Sequence, residues 1–113
     1  MVKQGYVPDR GDVIWIDLEP AKGREQKGSR PALVISPKSY NSKVRLLLAC
    51  PITSHTKGYP FEVTCKFSGI EGVILADQVR SMDWDVRRVK RIATAPASVT
   101  NEVEQRLLAL IKS

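Results

Sequence analysis

Apolar and polar positions alternate with period two along most of this chain and switch to a helical period only near its end. After a turn at Pro8-Asp9-Arg10-Gly11, Ile14, Ile16 and Leu18 alternate with Trp15 and Asp17, which predicts a strand over residues 11–18. The run Pro31-Ala32-Leu33-Val34-Ile35-Ser36 is apolar at successive positions, so it predicts a second strand buried on both faces. A third strand is predicted over 44–53. A fourth is predicted over 61–66, where Phe61, Val63 and Cys65 alternate with Glu62, Thr64 and Lys66 and one face is wet. A fifth follows over 72–79, with polar Arg80-Ser81 after it, and a short sixth over 89–93. Residues 37–42, with Asn41, and 57–60 read as turns. Residues 19–30 read as a loop opened by Pro20 and punctuated by Gly23 and Gly28. That loop is longer than a structural turn needs and is expected to be functional, and mobile in the free protein.

The tail is different. Val99, Val103, Leu107, Leu110 and Ile111 fall on one helical stripe, while Glu102, Glu104, Gln105 and Arg106 face away. A helix over 98–111 follows, with Ser98 or Thr100 as its cap and Lys112 at the negative end of its dipole. Five to six short strands and one C-terminal helix in 113 residues give a mainly β (α+β) domain. Its expected form is a small, strongly bent antiparallel barrel, because an open flat sheet leaves exposed edges. Residues 1–113 are expected to make one domain, with 42% hydrophobic residues for its core.

Composition adds a partner class. The net charge is +6 and the isoelectric point about 9.6, which favours polyanions: nucleic acid, an acidic protein segment or anionic lipid. Two cysteines, Cys50 and Cys65, are too few for a disulfide framework and read as reduced thiols. The N-terminus lacks the charged-apolar-small progression of a leader, and the longest apolar stretch, around Leu46 to Ile52, is too short to span a bilayer. The expectation is a soluble, cytoplasmic protein.

Familiar catalytic sets are missing. There is one histidine, His55, so a two-histidine ribonuclease arrangement is excluded. No Cys or His pair has zinc spacing, and no phosphate-loop or dinucleotide pattern occurs. What remains is Arg30, Thr53, Glu25, Asp17, Gln78 and the basic residues. Arg30 ends the charged loop and Thr53 ends the third strand, so both lie at strand rims where side chains can converge. A guanidinium fork and a hydroxyl facing one spot suit a phosphate. This set is thin for activating water but sufficient where the nucleophile is already in the substrate, as is the 2′-hydroxyl of RNA. The protein must then align the backbone, stabilise the phosphorane and move protons. Arg30 serves as electrostatic stabiliser, since a guanidinium pKa above about 12 disfavours proton donation. Glu25 or Asp77 accepts the 2′-proton. The basic run Arg87-Arg88-Val89-Lys90-Arg91 either tracks a phosphate backbone or forms the wet face of an edge strand. Trp15, Trp84, Tyr40, Tyr59 and Phe61 are the aromatics available to stack on bases.

These residues stand in a recognisable order. Arg10-Gly11-Asp12-Val13-Ile14-Trp15, Gly23-Arg24-Glu25-Gln26, Arg30-Pro31-Ala32, Ser36-Pro37, Pro51-Ile52-Thr53-Ser54, Lys57-Gly58-Tyr59-Pro60-Phe61-Glu62-Val63 and Ala76-Asp77-Gln78-Val79-Arg80-Ser81 together resemble the MazF/PemK (Kid) toxins of type II toxin–antitoxin systems. The resemblance covers nearly the whole chain. It implies an SH3-like barrel acting as a homodimer. It also implies a sequence-specific, ribosome-independent endoribonuclease, needing no metal or other cofactor, that cuts single-stranded RNA to 2′,3′-cyclic phosphate and 5′-hydroxyl ends. The family's central arginine and threonine map onto Arg30 and Thr53, its loop pair onto Glu25 and Gln26, and its late aspartate and glutamine onto Asp77 and Gln78. Gln26, Lys27, Ser54, Lys57, Arg80, Arg87 and Arg88 are expected to contact RNA. The Kid branch assigns the acid role to an arginine two positions before the aspartate. Here that position is Leu75, so the Kid acid–base pair does not carry over and the chain looks closer to the MazF branch. The implied second partner is a MazE-like antitoxin whose acidic C-terminal segment lies over the basic groove. Two other readings compete: a CcdB-like, non-catalytic gyrase inhibitor and an RNA-binding barrel without turnover. The first uses a tryptophan-bearing C-terminal tail, whereas this chain ends Leu110-Ile111-Lys112-Ser113.

Overall fold

The structure, a computed structural model, describes residues 5–113; the first four positions, on which the expectation of no leader partly rests, lie outside the described residues. Seven strands form one antiparallel, strongly bent sheet: β1 (Asp12–Asp17), β2 (Ser29–Val34), β3 (Leu46–Thr53), β4 (Glu62–Phe67), β5 (Ile70–Leu75), β6 (Arg80–Asp83) and β7 (Lys90–Thr94). The order is β4-β5-β3-β2-β1-β7, with β6 beside β3. The long strand β3 causes the bend. One edge pairs with β2, while the other pairs with β6 over Leu46–Ala49 and with β5 at Ile52 and Thr53. One strand thus serves two sheet halves that turn away from each other.

The bent sheet has a core on each side. Ile14, Ile16, Leu18, Ala32, Val34, Leu47, Ala49, Met82 and Trp84 form one cluster. Val13, Leu33, Cys50, Ile52, Val63, Cys65, Ile74 and Val103 belong to the other, which the helix covers. The expectation that the second strand is buried on both faces is met by Ala32 and Val34 on one side and Leu33 on the other. The wet face of β4 is also as expected, with Thr64 and Lys66 exposed and Val63 and Cys65 buried. Both cysteines are free and buried, and burial pushes the Cys50 thiol up to about 12, helped by the negative charge of Asp77.

Several elements differ from the sequence pattern. Seven strands replace the expected five to six because Arg80–Asp83 pairs with β3. The expected turn at 37–42 is a helix, α1 (Lys38–Val44), anchored by fully buried Asn41. Asn41 Nδ2 donates to the Pro8 and Ser36 carbonyls at 2.8 and 3.1 Å, and its Oδ1 accepts from Ser36 Oγ at 2.6 Å. The fifth strand ends at Leu75, where a 3-10 turn (Ala76–Gln78) begins. Helix α2 (Ala97–Lys112) starts after Pro96, with no side-chain cap; Thr100, an expected cap, is buried in the first turn. Its stripe packs at Val99, Val103 and Leu107 and emerges at Leu110 and Ile111, the latter 67% exposed. Arg10 pins α2 to the start of β1, donating to Asn101 Oδ1 at 3.1 Å and to Glu104 Oε1 at 2.6 Å. No helix among the described residues is long and apolar enough to cross a membrane.

Candidate active site

The ladder between β2 and β3 decides where the two central side chains go. Ala32 pairs with Pro51 and Leu33 with Cys50, and the same register carried to the strand ends sets Arg30 across from Thr53. Both line one open cavity of about 360 Å³ together with Trp15, Ser29, Ser54 and Glu71. Arg30 Nε donates to the Lys27 carbonyl at 3.1 Å, and among the described residues its two terminal nitrogens carry no hydrogen bond or ion pair. The guanidinium is thus oriented through one nitrogen while its fork is open to a bidentate acceptor. Thr53 is 4% exposed, and its hydroxyl oxygen accepts the His55 backbone N–H at 3.2 Å, leaving its proton for a ligand.

Gly72 sets how closely β5 approaches this pair. A Cβ at that position would lie 2.3 Å from the Thr53 carbonyl oxygen, so only glycine lets the two strands meet there. The hairpin before it turns at Ser68 and Gly69, both with positive φ (50° and 78°), and puts Glu71 opposite Lys66.

The segment after Thr53 is organised by Glu62. Its carboxylate accepts from Thr56 Oγ1, Lys57 N and Gly58 N at 2.8, 2.7 and 2.9 Å. The Lys57 N–H, with help from Thr56 and Gly58, holds the Glu62 carboxyl below its ordinary value, against the opposing effect of desolvation. Ser54, His55 and Lys57 therefore sit on an ordered, exposed turn.

The loop between β1 and β2 is tied at its root and near its far end. Leu18 N donates to the Gly28 carbonyl at 3.0 Å and Gly28 N to Glu19 Oε2 at 2.8 Å. Gln78, on the 3-10 turn, accepts the Gln26 N–H at 2.8 Å and donates to the Arg24 carbonyl at 3.3 Å. Arg80 donates to the Leu18 and Pro20 carbonyls at 2.6 and 3.4 Å, and Arg87 to those of Asp17 and Glu19 at 2.7 and 2.9 Å. These two arginines, expected on RNA, brace the loop root. Arg88 and Lys27 are exposed.

The carboxylates divide between two cavities. Glu25 lines a second cavity of about 460 Å³ with Lys22, Asp77, Gln78 and Arg80, apart from the Arg30–Thr53 cavity. Glu25 accepts the Lys22 N–H at 2.8 Å, and Asp77 accepts the Tyr59 hydroxyl at 2.9 Å. Burial, then that bond to Asp77, pushes the Tyr59 phenol up to about 12. Asp17 is exposed and accepts the Glu19 N–H at 2.9 Å. Among the described residues the one carboxylate lining the Arg30–Thr53 cavity is Glu71, which no pattern in the sequence singles out. Of the candidate stacking aromatics, Trp15 lines that cavity and is 47% exposed. Trp84 is buried, with Nε1 donating to the Asn41 carbonyl at 3.0 Å, and Phe61 packs against the core.

A family model for PemK-like, MazF-like toxins of type II toxin–antitoxin systems matches residues 9–111. The chain is 44% identical over 106 residues to the endoribonuclease toxin MazF of Escherichia coli, covering 94% of this chain and 96% of that protein. It is 36% identical to the endoribonuclease PemK of Escherichia coli, over 98% of this chain and 87% of the relative. Among solved structures, MazF from Deinococcus radiodurans superposes with a TM-score of 0.91 at 50% identity, over 96% of this chain and 100% of that one. A MazE–MazF complex from the same organism gives a TM-score of 0.83 at 47% identity, over 96% and 98% of the two chains.

Proposed function

This chain belongs to the PemK-like, MazF-like toxin family of type II toxin–antitoxin systems, and from that membership we propose how it acts. It is an endoribonuclease toxin, a homodimer neutralised by a MazE-like antitoxin. It works in the cytoplasm on single-stranded RNA at a short sequence motif, without ribosome, metal or other cofactor. The observation that supports the chemistry is the shared cavity of Arg30 and Thr53, with the guanidinium fork unengaged among the described residues.

The scissile phosphate sits between them. Arg30 binds its two non-bridging oxygens, and Thr53 donates one further hydrogen bond. The 2′-oxygen attacks the adjacent phosphorus and the bond from phosphorus to the 5′-oxygen breaks. One proton leaves the 2′-hydroxyl and one, from solvent water, arrives on the departing 5′-oxygen, giving a 2′,3′-cyclic phosphate and a 5′-hydroxyl. Charge grows on the non-bridging oxygens during the attack, so Arg30 binds the transition state more strongly than the substrate. Glu25 takes the 2′-proton once the loop lies over the bound strand. Releasing it from the exposed Lys22 N–H gives up one hydrogen bond to a charged group, about 1.5–3 kcal/mol, and the loop's two ties to Gln78 are exchanged for contacts with the bound strand. Asp77 and Gln78 position the loop and the substrate, and Gln26, Lys27, Ser54 and Lys57 supply contacts along the strand.

The test is cleavage of a long defined RNA in excess EDTA, with both product ends mapped. Cutting to 2′,3′-cyclic phosphate and 5′-hydroxyl ends is expected. Arg30→Ala removes about 2.7–4 kcal/mol of transition-state stabilisation, a loss of 10²–10³-fold in kcat, and Glu25→Gln lowers kcat with little change in KM. Cutting that stops under chelation, or that keeps a near-wild-type kcat in Arg30→Ala, contradicts the mechanism.

A further inference from the structure

A second groove opens beside the Arg30–Thr53 cavity. It has a volume of about 510 Å³, within the range that holds a nucleotide-sized ligand. It crosses the face formed by β4 and β5 and shares Ser54 and Glu71 with the first cavity. Thr56, Thr64, Cys65, Lys66, Gly72 and Val73 complete its walls. Lys66 and Glu71 are register partners on the hairpin, yet neither is in an ion pair among the described residues. Cation and carboxylate are both exposed and both available.

We infer that this groove is a second nucleotide subsite, in which Lys66 meets the phosphate next to the scissile one and Glu71 meets the edge of an amino-bearing base; the inference rests on the endoribonuclease reading. The shared wall makes the path continuous, so a strand gripped at Arg30 and Thr53 runs past Glu71 into the groove. The Ser54 and Thr64 hydroxyls suit sugar and phosphate oxygens. An ionised carboxylate only accepts hydrogen bonds, so Glu71 favours the amino-bearing bases adenine, cytosine and guanine over uracil, whose single edge donor, N3–H, is flanked by two carbonyls that a carboxylate repels. Glu71 also keeps phosphate out of the junction, which sets the phosphates at Arg30 and Lys66 with a base between them.

Binding and cutting are measured separately. The probe is a fluorescent oligonucleotide with a 2′-O-methyl group at the cut site, so that it binds without reacting. Wild type, Lys66→Ala, Glu71→Gln and, as a control at the free end of α2, Lys112→Ala are titrated from low to high salt. For Lys66→Ala the slope of log affinity against log salt is expected to fall by about 0.7, one single-strand phosphate contact, while Lys112→Ala keeps the wild-type slope. Glu71→Gln is expected to erase the preference for an amino-bearing base over uracil at the neighbouring position, in binding and in cleavage of the unmethylated oligonucleotide. An unchanged slope in Lys66→Ala, or an unchanged base preference in Glu71→Gln, overturns the subsite. A wild type whose binding depends on Lys66 but which never cuts supports the groove and overturns the endoribonuclease reading instead.

Discussion

Thr53 is held by its neighbours more than by its own bonds, and Gly72 is the tightest of them. A methyl group at residue 72 would meet the Thr53 carbonyl at 2.3 Å, inside any tolerable contact, and the atom in the way is backbone. Gly72→Ala therefore pushes Thr53 and Ser54 towards β2 and out of their spacing with Arg30, by roughly 1 Å, or pries β5 from β3. Misplacement of that size costs about 10²-fold in rate where reacting groups must be aligned. The variant is expected to lose that much kcat while its affinity for the uncleavable oligonucleotide changes less, since Arg30 and the basic surface are untouched. Near-wild-type kcat in a folded Gly72→Ala protein would show that the spacing is not critical. The same scale explains what sequence could and could not reveal about the site. Arg30 and Thr53 lie at the ends of strands that are plain as continuous apolar runs, so their meeting follows from counting register. Glu71 carries no such signal. It becomes visible only once the Ser68-Gly69 hairpin is recognised and Glu71 is counted back across from Lys66.

At the scale of elements, legibility followed how much apolar surface each one buries. β1, β2 and β4 declare themselves through Ile14, Ile16, Leu33, Val63 and Cys65. α1 does not: its one buried residue is Asn41, and Pro37, Ser39 and Ser42 all favour turns. It is helical because a tertiary network around Asn41 overrides local preference. β6 buries only Met82, too little for a period to show. The turn after Thr53 depends on charge, and so on pH. The Glu62 carboxyl is held below its ordinary value of 4.5, chiefly by the Lys57 N–H. A depressed acid stabilises its surroundings fully above the unfolded-state value, and that contribution is lost as pH falls through the folded-state value. The anchoring of Lys57 and Gly58 is therefore expected to persist at pH 5 and to fail only below 4.5. Their amide chemical shifts on acidification report this directly, and Glu62→Gln is expected to remove the transition. A midpoint at or above the ordinary value would mean that the carboxylate does not hold the turn.

For the whole molecule, the decisive quantity is the net charge of +6. Arg80 and Arg87 donate to loop carbonyls, yet hydrogen bonding to a neutral acceptor leaves each full charge in place. They act on a distant polyanion through the field even where they do not touch it. On the proposed function, the basic groove draws RNA and a carboxylate-rich antitoxin segment by the same means, and the two compete for it. Long-range attraction of this kind raises the association rate far more than it slows dissociation, because contact-distance interactions are less screened. Raising salt from about 0.05 to 0.5 M shortens the Debye length from well over 10 Å to under 5 Å. The association rate of an acidic antitoxin peptide is expected to fall steeply over that range, while its dissociation rate changes little. Stopped-flow mixing with a labelled peptide separates the two. A salt effect carried mainly by dissociation would place the antitoxin's hold in direct contacts instead of in the field of the basic surface.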